Sequence, residues 1–217
     1  MAASNAKKGH CYLCGQELAK ASVSRHLAAK HLIQEEEQLS YLLKIEDENS
    51  NYWLFVDIPV SSTLKTLDSF LRKIWLECCG HLSKFYEPGL YLSSVGINKK
   101  IGSFPEGFKL MYDYDFGSTT TLKIVFMKKI TRPAQRTPVR VLARNDPYSF
   151  PCSKCKKEAD YVDAGSWPPS FYCEKCARKH ETEFLLPVVN SPRMGVCGYT
   201  GEFDCYEFNP EDLSSNP

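Results

Sequence analysis

Leu39-Ser40-Tyr41-Leu42-Leu43-Lys44-Ile45, then Glu46-Asp47-Glu48-Asn49-Ser50-Asn51, then Tyr52-Trp53-Leu54-Phe55-Val56-Asp57-Ile58: two apolar runs enclose a polar hexapeptide. Apolar runs of this length bounded by Asn, Asp and Ser read as strands, so the stretch predicts a β-hairpin. Directly after it, Ser61-Ser62-Thr63 offers capping hydroxyls, and Leu64, Leu67, Phe70, Leu71, Ile74 and Trp75 recur at spacings of three and four before Gly80. That is the period of an amphipathic helix lying on a sheet. Further strands are expected at 90–93, 109–115 and 120–127, the last two joined by Phe116-Gly117-Ser118. The order ββαβββ predicts an α+β fold with a β-grasp-like core.

Composition agrees with a folded chain: 43% of the 217 residues are hydrophobic and 24% charged, enough for one moderate core with small satellites. No run approaches the roughly 20 apolar residues that span a bilayer, and Met1-Ala-Ala-Ser-Asn-Ala-Lys-Lys8 leads into no apolar stretch. A cytoplasmic protein without membrane contact is the expectation. Thiols stay reduced there, which turns attention to the ten cysteines. Six of them form Cys-x2-Cys pairs: Cys11/Cys14, Cys152/Cys155 and Cys173/Cys176. Two thiolates so spaced reach one tetrahedral zinc at about 2.3 Å.

At the N-terminus the pattern is Cys11-x2-Cys14-x11-His26-x4-His31, with Leu18, Val23 and Leu27 as a small apolar core. It resembles a zinc finger of the two-cysteine, two-histidine type, with a spacer of eleven residues where twelve is usual and a leucine where an aromatic is common. If it docked on DNA as its family does, the base-reading positions would fall near Ala19, Ser22 and Arg25, of which Arg25 alone carries a donor fork. It can equally bind protein or cap the chain. Near the C-terminus, Cys152-x2-Cys155-x17-Cys173-x2-Cys176 has the spacing of a four-cysteine zinc ribbon. A closed four-thiolate shell leaves no open position for water, so two structural Zn2+ ions are expected. The domain reading is a finger over 1–33, an α+β core over 38–130, and a basic segment with ribbon and tail over 131–217.

Charge is unevenly spread although the net formal charge is only +1. Lys123, Lys128, Lys129, Arg132, Arg136, Arg140, Arg144, Lys154, Lys156 and Lys157 face a single acid, Asp146, in their stretch, while Glu35, Glu36, Glu37, Glu46, Asp47 and Glu48 concentrate earlier. A basic stripe beside zinc modules points to phosphate contact, or is a solvated strand and linker. Trp167, Phe171 and Tyr172 near Lys154, Lys156, Lys157, Lys175, Arg178 and Lys179 offer base-stacking faces, or are the ribbon's own core.

Val60-Ser-Ser-Thr-Leu-Lys-Thr-Leu67, Leu76-Glu-Cys-Cys-Gly-His-Leu-Ser-Lys-Phe85 and Tyr112-Asp-Tyr-Asp-Phe-Gly-Ser-Thr-Thr120 are similar to the plasmid Ri open-reading-frame-three-like family, found also as passenger proteins of insertion elements. The resemblance covers roughly 38–130 and extends to the tail Leu186-Pro-Val-Val-Asn-Ser-Pro-Arg-Met-Gly-Val-Cys-Gly-Tyr-Thr-Gly201. It implies an α+β core and an association with mobile elements, and it brings no reaction. Some members bear a resolvase-like name, yet no serine-recombinase constellation is present here.

The remaining cysteines are Cys78, Cys79, Cys197 and Cys205. Cys78-Cys79-Gly80-His81 with Cys197 is a third metal site, a reactive thiol beside His81, or a set of small buried hydrophobes. Arg193 reads as a phosphate contact or a surface salt-bridge partner. Asp113 and Asp115 share one strand face with Met111, opposite Leu110, Tyr112, Tyr114 and Phe116. Lacking a third carboxylate, lysine or histidine at a recognisable spacing, they read as solvent-facing acids rather than a Mg2+ pair for a nuclease. The expectation is therefore a non-enzymatic, zinc-binding protein that contacts DNA or RNA. A protein-interaction adaptor is the alternative, a metal-dependent nuclease a lesser one, and no small-molecule substrate is foreseen.

Overall fold

The computed structural model describes residues 8–32, 38–48, 52–133 and 137–214 and is of α+β class. In chain order it begins with a hairpin of β1 (Lys8–Cys11) and β2 (Glu17–Ala19), followed by α1 (Val23–Lys30). Then come β3 (Gln38–Asp47), β4 (Trp53–Pro59), α2 (Leu64–Leu71), β5 (Ser83–Tyr86), β6 (Lys109–Tyr114), β7 (Thr120–Arg132) and β8 (Arg140–Asn145). These eight strands form one antiparallel sheet in the order β2-β1-β8-β4-β3-β7-β6-β5. A second sheet, β10-β9-β11, is built from β9 (Tyr161–Asp163), β10 (Ser170–Tyr172) and β11 (Leu185–Pro187), with α3 (Glu174–Ala177) beside it.

The hairpin β3–β4 runs in register from Ser40 opposite Pro59 to Glu46 opposite Trp53. Side chains alternate across a pleated strand. Leu54, Val56 and Ile58 therefore face α2, while Trp53 and Phe55 face the opposite side with Leu42, Leu142 and Ala143. Every residue of β4 is buried, because both faces of this part of the sheet are covered. On one face lie Leu64, Leu67, Phe70 and Leu71 of α2. On the other lie Cys11, Leu18, Val23 and Leu27 of the N-terminal segment.

Thr63 takes the N-cap position of α2, yet its side chain makes no capping bond. The first helical N–H groups are satisfied from elsewhere: Leu64 donates to the Lys99 carbonyl at 3.0 Å and Lys65 to the Ile97 carbonyl at 2.8 Å. The loop at 97–99 thus does what the hydroxyls were expected to do. Past Leu71 the helix widens into a π-helical turn over Arg72–Leu76, which buries Ile74 and Trp75.

The strand expected at 90–93 is a turn instead, and β5 lies earlier. Leu90 N–H donates to Glu87 and Ser93 N–H to Leu90, both at 2.9 Å, and Gly89 sits at φ 82°. Leu90, Tyr91 and Leu92 are exposed, Leu92 at 99%, so this apolar run finds no sheet face. The opposite surprise is β8. It lies between β1 and β4 in the sheet, so the N-terminal hairpin continues the core sheet rather than hanging beside it. Gly9 permits the contact, since a Cβ there would meet the Arg144 carbonyl oxygen at 2.0 Å.

The segment from 188 to 208 straps across the core. Ser191 Oγ donates to the Trp75 carbonyl at 2.6 Å, the Asn145 side chain donates to Asn190 Oδ1, and the Asn190 side chain donates to the Asn145 backbone carbonyl. Tyr12 Oη donates to the Tyr206 carbonyl, and Phe208 stacks on His10. Among the described residues no helix is long and apolar enough to cross a membrane.

Candidate metal centres

The structure gathers Cys11, Cys14, His26 and His31 so that their ligand atoms lie within 4.8 Å of one another. Cys11 ends β1, and its N–H donates to the Gln16 carbonyl while Gly15 N–H returns to the Cys11 carbonyl at 2.8 Å. Gly15, at φ 69°, allows the tight return that aims both thiols inward. Cys14 Sγ lies 3.4 Å from His26 Nε2. His31 Nε2 is buried without a hydrogen-bond partner, an expensive state for a neutral ring nitrogen unless an ion receives its lone pair. Burial, reinforced by Lys30, holds both imidazoles below their ordinary pKa, and neutral imidazole is the ligating form. The donor set fits zinc.

The ribbon repeats the same turn. Cys152 N–H donates to the Lys157 carbonyl and Lys156 N–H to the Cys152 carbonyl, with Lys156 at φ 66° in the place of Gly15. Cys173 and Cys176 sit at the start of α3, and all four sulfurs lie within 4.8 Å of one another. Cys155 and Cys173 sulfurs are 3.5 Å apart. Burial pushes the Cys152 thiol up, but backbone N–H groups of Cys173, Cys155 and Lys154 outweigh it and hold the thiol at about 6. Cys176 moves the other way, to about 12, through burial and then its sulfur neighbours. Four crowded thiols do not all ionise without a cation among them, and a divalent metal would supply it. His180 does not join them: its Nε2 bonds Asp163 at 2.9 Å and its ring stacks on Tyr172.

A third group, Cys78, Cys79, His81 and Cys197, also converges within 4.8 Å, across 116 to 118 residues of chain. Cys205 is exposed and lies outside all three. The two aspartates of β6 and its end are not solvent-facing. Asp113 is buried and accepts from Tyr86 Oη and Thr121 Oγ1, and Asp115 is buried against Arg193 at 2.6 Å. Both carboxylates are engaged inside the protein, Asp113 by two hydroxyls and Asp115 by a guanidinium, so the solvent-facing reading of the pair does not hold. Arg193 is itself fully buried, so neither surface role expected for it is open.

The basic stripe is likewise divided. Arg132 is 2% exposed and meets Asp57 at 2.6 Å, while Arg140 meets the other oxygen of Asp57 at 2.7 Å. Arg144, 1% exposed, binds Asp204 and the Asn190 carbonyl. Three arginines expected to meet phosphate thus hold the sheet and the strap together. Arg136 lies outside the described residues. Lys129, Lys154, Lys156, Lys157 and Arg25 are exposed and Lys128 half-buried. Of the three aromatics, Phe171 stacks on Phe150 and Tyr172 is buried, leaving Trp167 at 95% exposure.

An α+β scaffold with candidate Cys/His metal sites is the class that fold and geometry define. No protein-family model matches the chain, and no curated protein matches it. Among solved structures, a protein of unknown function from Methanosarcina mazei Go1 is similar over 52% of this chain and 70% of its own, with a TM-score of 0.40 and 16% identity.

Proposed function

We propose that this chain is a non-enzymatic zinc-binding protein in which the finger and the ribbon each hold one structural Zn2+, and that the ribbon contacts single-stranded nucleic acid. The observation that carries the reading is the ribbon's outer surface. Lys154, Lys156 and Lys157 flank the first knuckle, exposed and without an ion pair among the described residues, and the same module exposes the whole indole of Trp167. Cations that track a phosphate backbone beside an aromatic face on which bases stack are the working parts of sequence-tolerant strand binding. The resemblance of the core to the plasmid Ri family adds an association with mobile elements to this reading.

A salt-titrated gel shift on single-stranded DNA and RNA tests it. Replacing Lys154, Lys156 and Lys157 with Gln should flatten the salt dependence by about two units of log–log slope, each lost phosphate contact removing about 0.7. Trp167→Ala should weaken binding about 5- to 150-fold, the value of one stacked base at about 1–3 kcal/mol. Binding that ignores both changes excludes the ribbon.

One observation favours a second reading, that of a protein-interaction adaptor. At the β5 end of the sheet, Leu82, Leu90, Tyr91, Leu92 and Phe116 are all exposed. Exposed apolar residues gathered in one region mark interaction surfaces more often than singly scattered ones do. A partner held there would show little salt dependence and would be lost on Leu92→Asp.

A further inference from the structure

We propose that Cys78, Cys79, His81 and Cys197 form a third zinc site, a three-thiolate, one-imidazole centre that staples the C-terminal strap to the end of α2. Thiolate–zinc bonds of about 2.3 Å at tetrahedral angles place ligand sulfurs about 3.8 Å apart. The Cys78–Cys79 and Cys79–Cys197 sulfurs are each 3.8 Å apart. Two sulfurs, those of Cys79 and Cys197, approach the one His81 Nε2 at 3.0 and 3.2 Å. A ring nitrogen has a single proton or a single lone pair, so hydrogen bonding satisfies one of these contacts and leaves the other unexplained. A cation at the centre of the four groups satisfies all of them.

The surroundings hold the ligands in place. Arg72, anchored to Asp68, reaches Glu77 at 2.8 Å and the His81 carbonyl at 2.8 Å. Glu77 in turn accepts from Gly80 N–H and Tyr114 Oη, so the 77–81 turn is fixed before any metal arrives. Behind the ring, His81 Nδ1 faces Asp115 Oδ1 at 3.5 Å, the carboxylate placement that orients metal-bound imidazoles. Arg193 lies against both Asp115 and the Cys78 sulfur, at 2.6 and 3.6 Å, and so ties the strap to the carboxylate behind His81. Cys197 is presented at φ 51°, a left-handed conformation rare for a residue with a Cβ, and tertiary constraint must hold it there. Three soft thiolates and one imidazole select zinc over hard cations, and four protein ligands leave no open position.

This site differs from the other two in where its ligands come from. The finger and the ribbon each close within one short segment. The third joins residues 118 apart, and Cys79 and Cys197 are both exposed.

Differential alkylation of the full-length, zinc-loaded protein tests the proposal without any variant. With N-ethylmaleimide, the exposed Cys205 should label at least about 10-fold faster than Cys79 and Cys197, which are exposed too, and a chelator should erase that difference. Equal labelling of the three in the zinc-loaded protein overturns the site. Elemental analysis gives the independent reading: Cys197→Ser should lose one zinc per chain relative to the unsubstituted protein, while Cys205→Ser loses none. Unchanged zinc in Cys197→Ser refutes the assignment. Loss of zinc in Cys14→Ser or Cys155→Ser reports on the finger and the ribbon separately, so failure of either leaves the third site's test intact.

Discussion

Asp57 concentrates the electrostatic logic of the sheet in one side chain. It sits on fully buried β4, and Arg132 of β7 and Arg140 of β8 reach it from two different neighbouring segments. Removing one member of a buried ion cluster leaves the others uncompensated, which costs about 3–5 kcal/mol. Asp57→Asn should therefore lower the urea midpoint by that equivalent with an unchanged m-value. Glu46 is a milder case with a pH signature. Burial pushes its carboxyl up, but Lys20 and Lys44 outweigh burial and the net shift is downward from the ordinary 4.5. A depressed carboxyl stabilises the fold above its unfolded pKa and loses that contribution as pH falls through the folded value. Glu46→Gln should thus cost about 1 kcal/mol at pH 7. The two proteins should converge in stability as denaturation is followed from pH 5 down to pH 3.

At the scale of elements, the ribbon and the N-terminal hairpin respond differently to damage. With one zinc in the ribbon, as proposed, its folding free energy would be largely the metal's binding free energy. Cys155→Ser or Cys176→Ser should remove one zinc and the amide protection of β9 and β10 while leaving β3, β4 and β7 protected in hydrogen exchange. The hairpin instead depends on a close approach of backbones. Gly9→Ala puts a methyl into the Arg144 carbonyl and Trp53 ring, and overpacking of that kind costs about 1–3 kcal/mol. Amide exchange in β1 and β2 should accelerate accordingly. The sequence made β3, β4 and α2 legible because each carries a long apolar signal at its own period. It concealed β8, whose Arg140 and Arg144 read as basic linker until Asp57 and Asp204 supply their partners from remote segments. It also invited a strand at 90–93, because apolar content alone does not reveal whether a face exists to receive it. The two contiguous candidate ligand sets, whose side chains the structure brings together, were legible from spacing. The third stood in the sequence as one of three alternatives for Cys78, Cys79, His81 and Cys197, and spacing could not choose among them, since nothing in the sequence states that 118 residues fold back.

For the molecule as a whole, the decisive feature is that the N-terminal candidate metal centre is part of the main core. Leu18, Val23 and Leu27 cover Trp53, Phe55, Leu42 and Leu142 on the sheet face opposite α2, and Lys20 pairs with Glu46 of β3. A finger on a tether would unfold alone when its metal is withdrawn and leave the core's melting unchanged. Here the same event uncovers a buried apolar face and weakens everything joined to it. Full burial of one Leu or Val is worth about 1.5–3 kcal/mol, so losing cover from three such residues together removes at least about 3 kcal/mol. In a domain of this size that corresponds to a fall of about 6–12 °C in the main transition. Cys14→Ser, which leaves the ribbon's four thiols intact, should show this fall by calorimetry, together with new binding of a hydrophobic dye to the exposed Trp53 and Phe55 face. An unshifted main transition in that variant, with zinc lost from the finger, would mean that the hairpin stays docked through β1–β8 pairing alone and that the metal orders only α1.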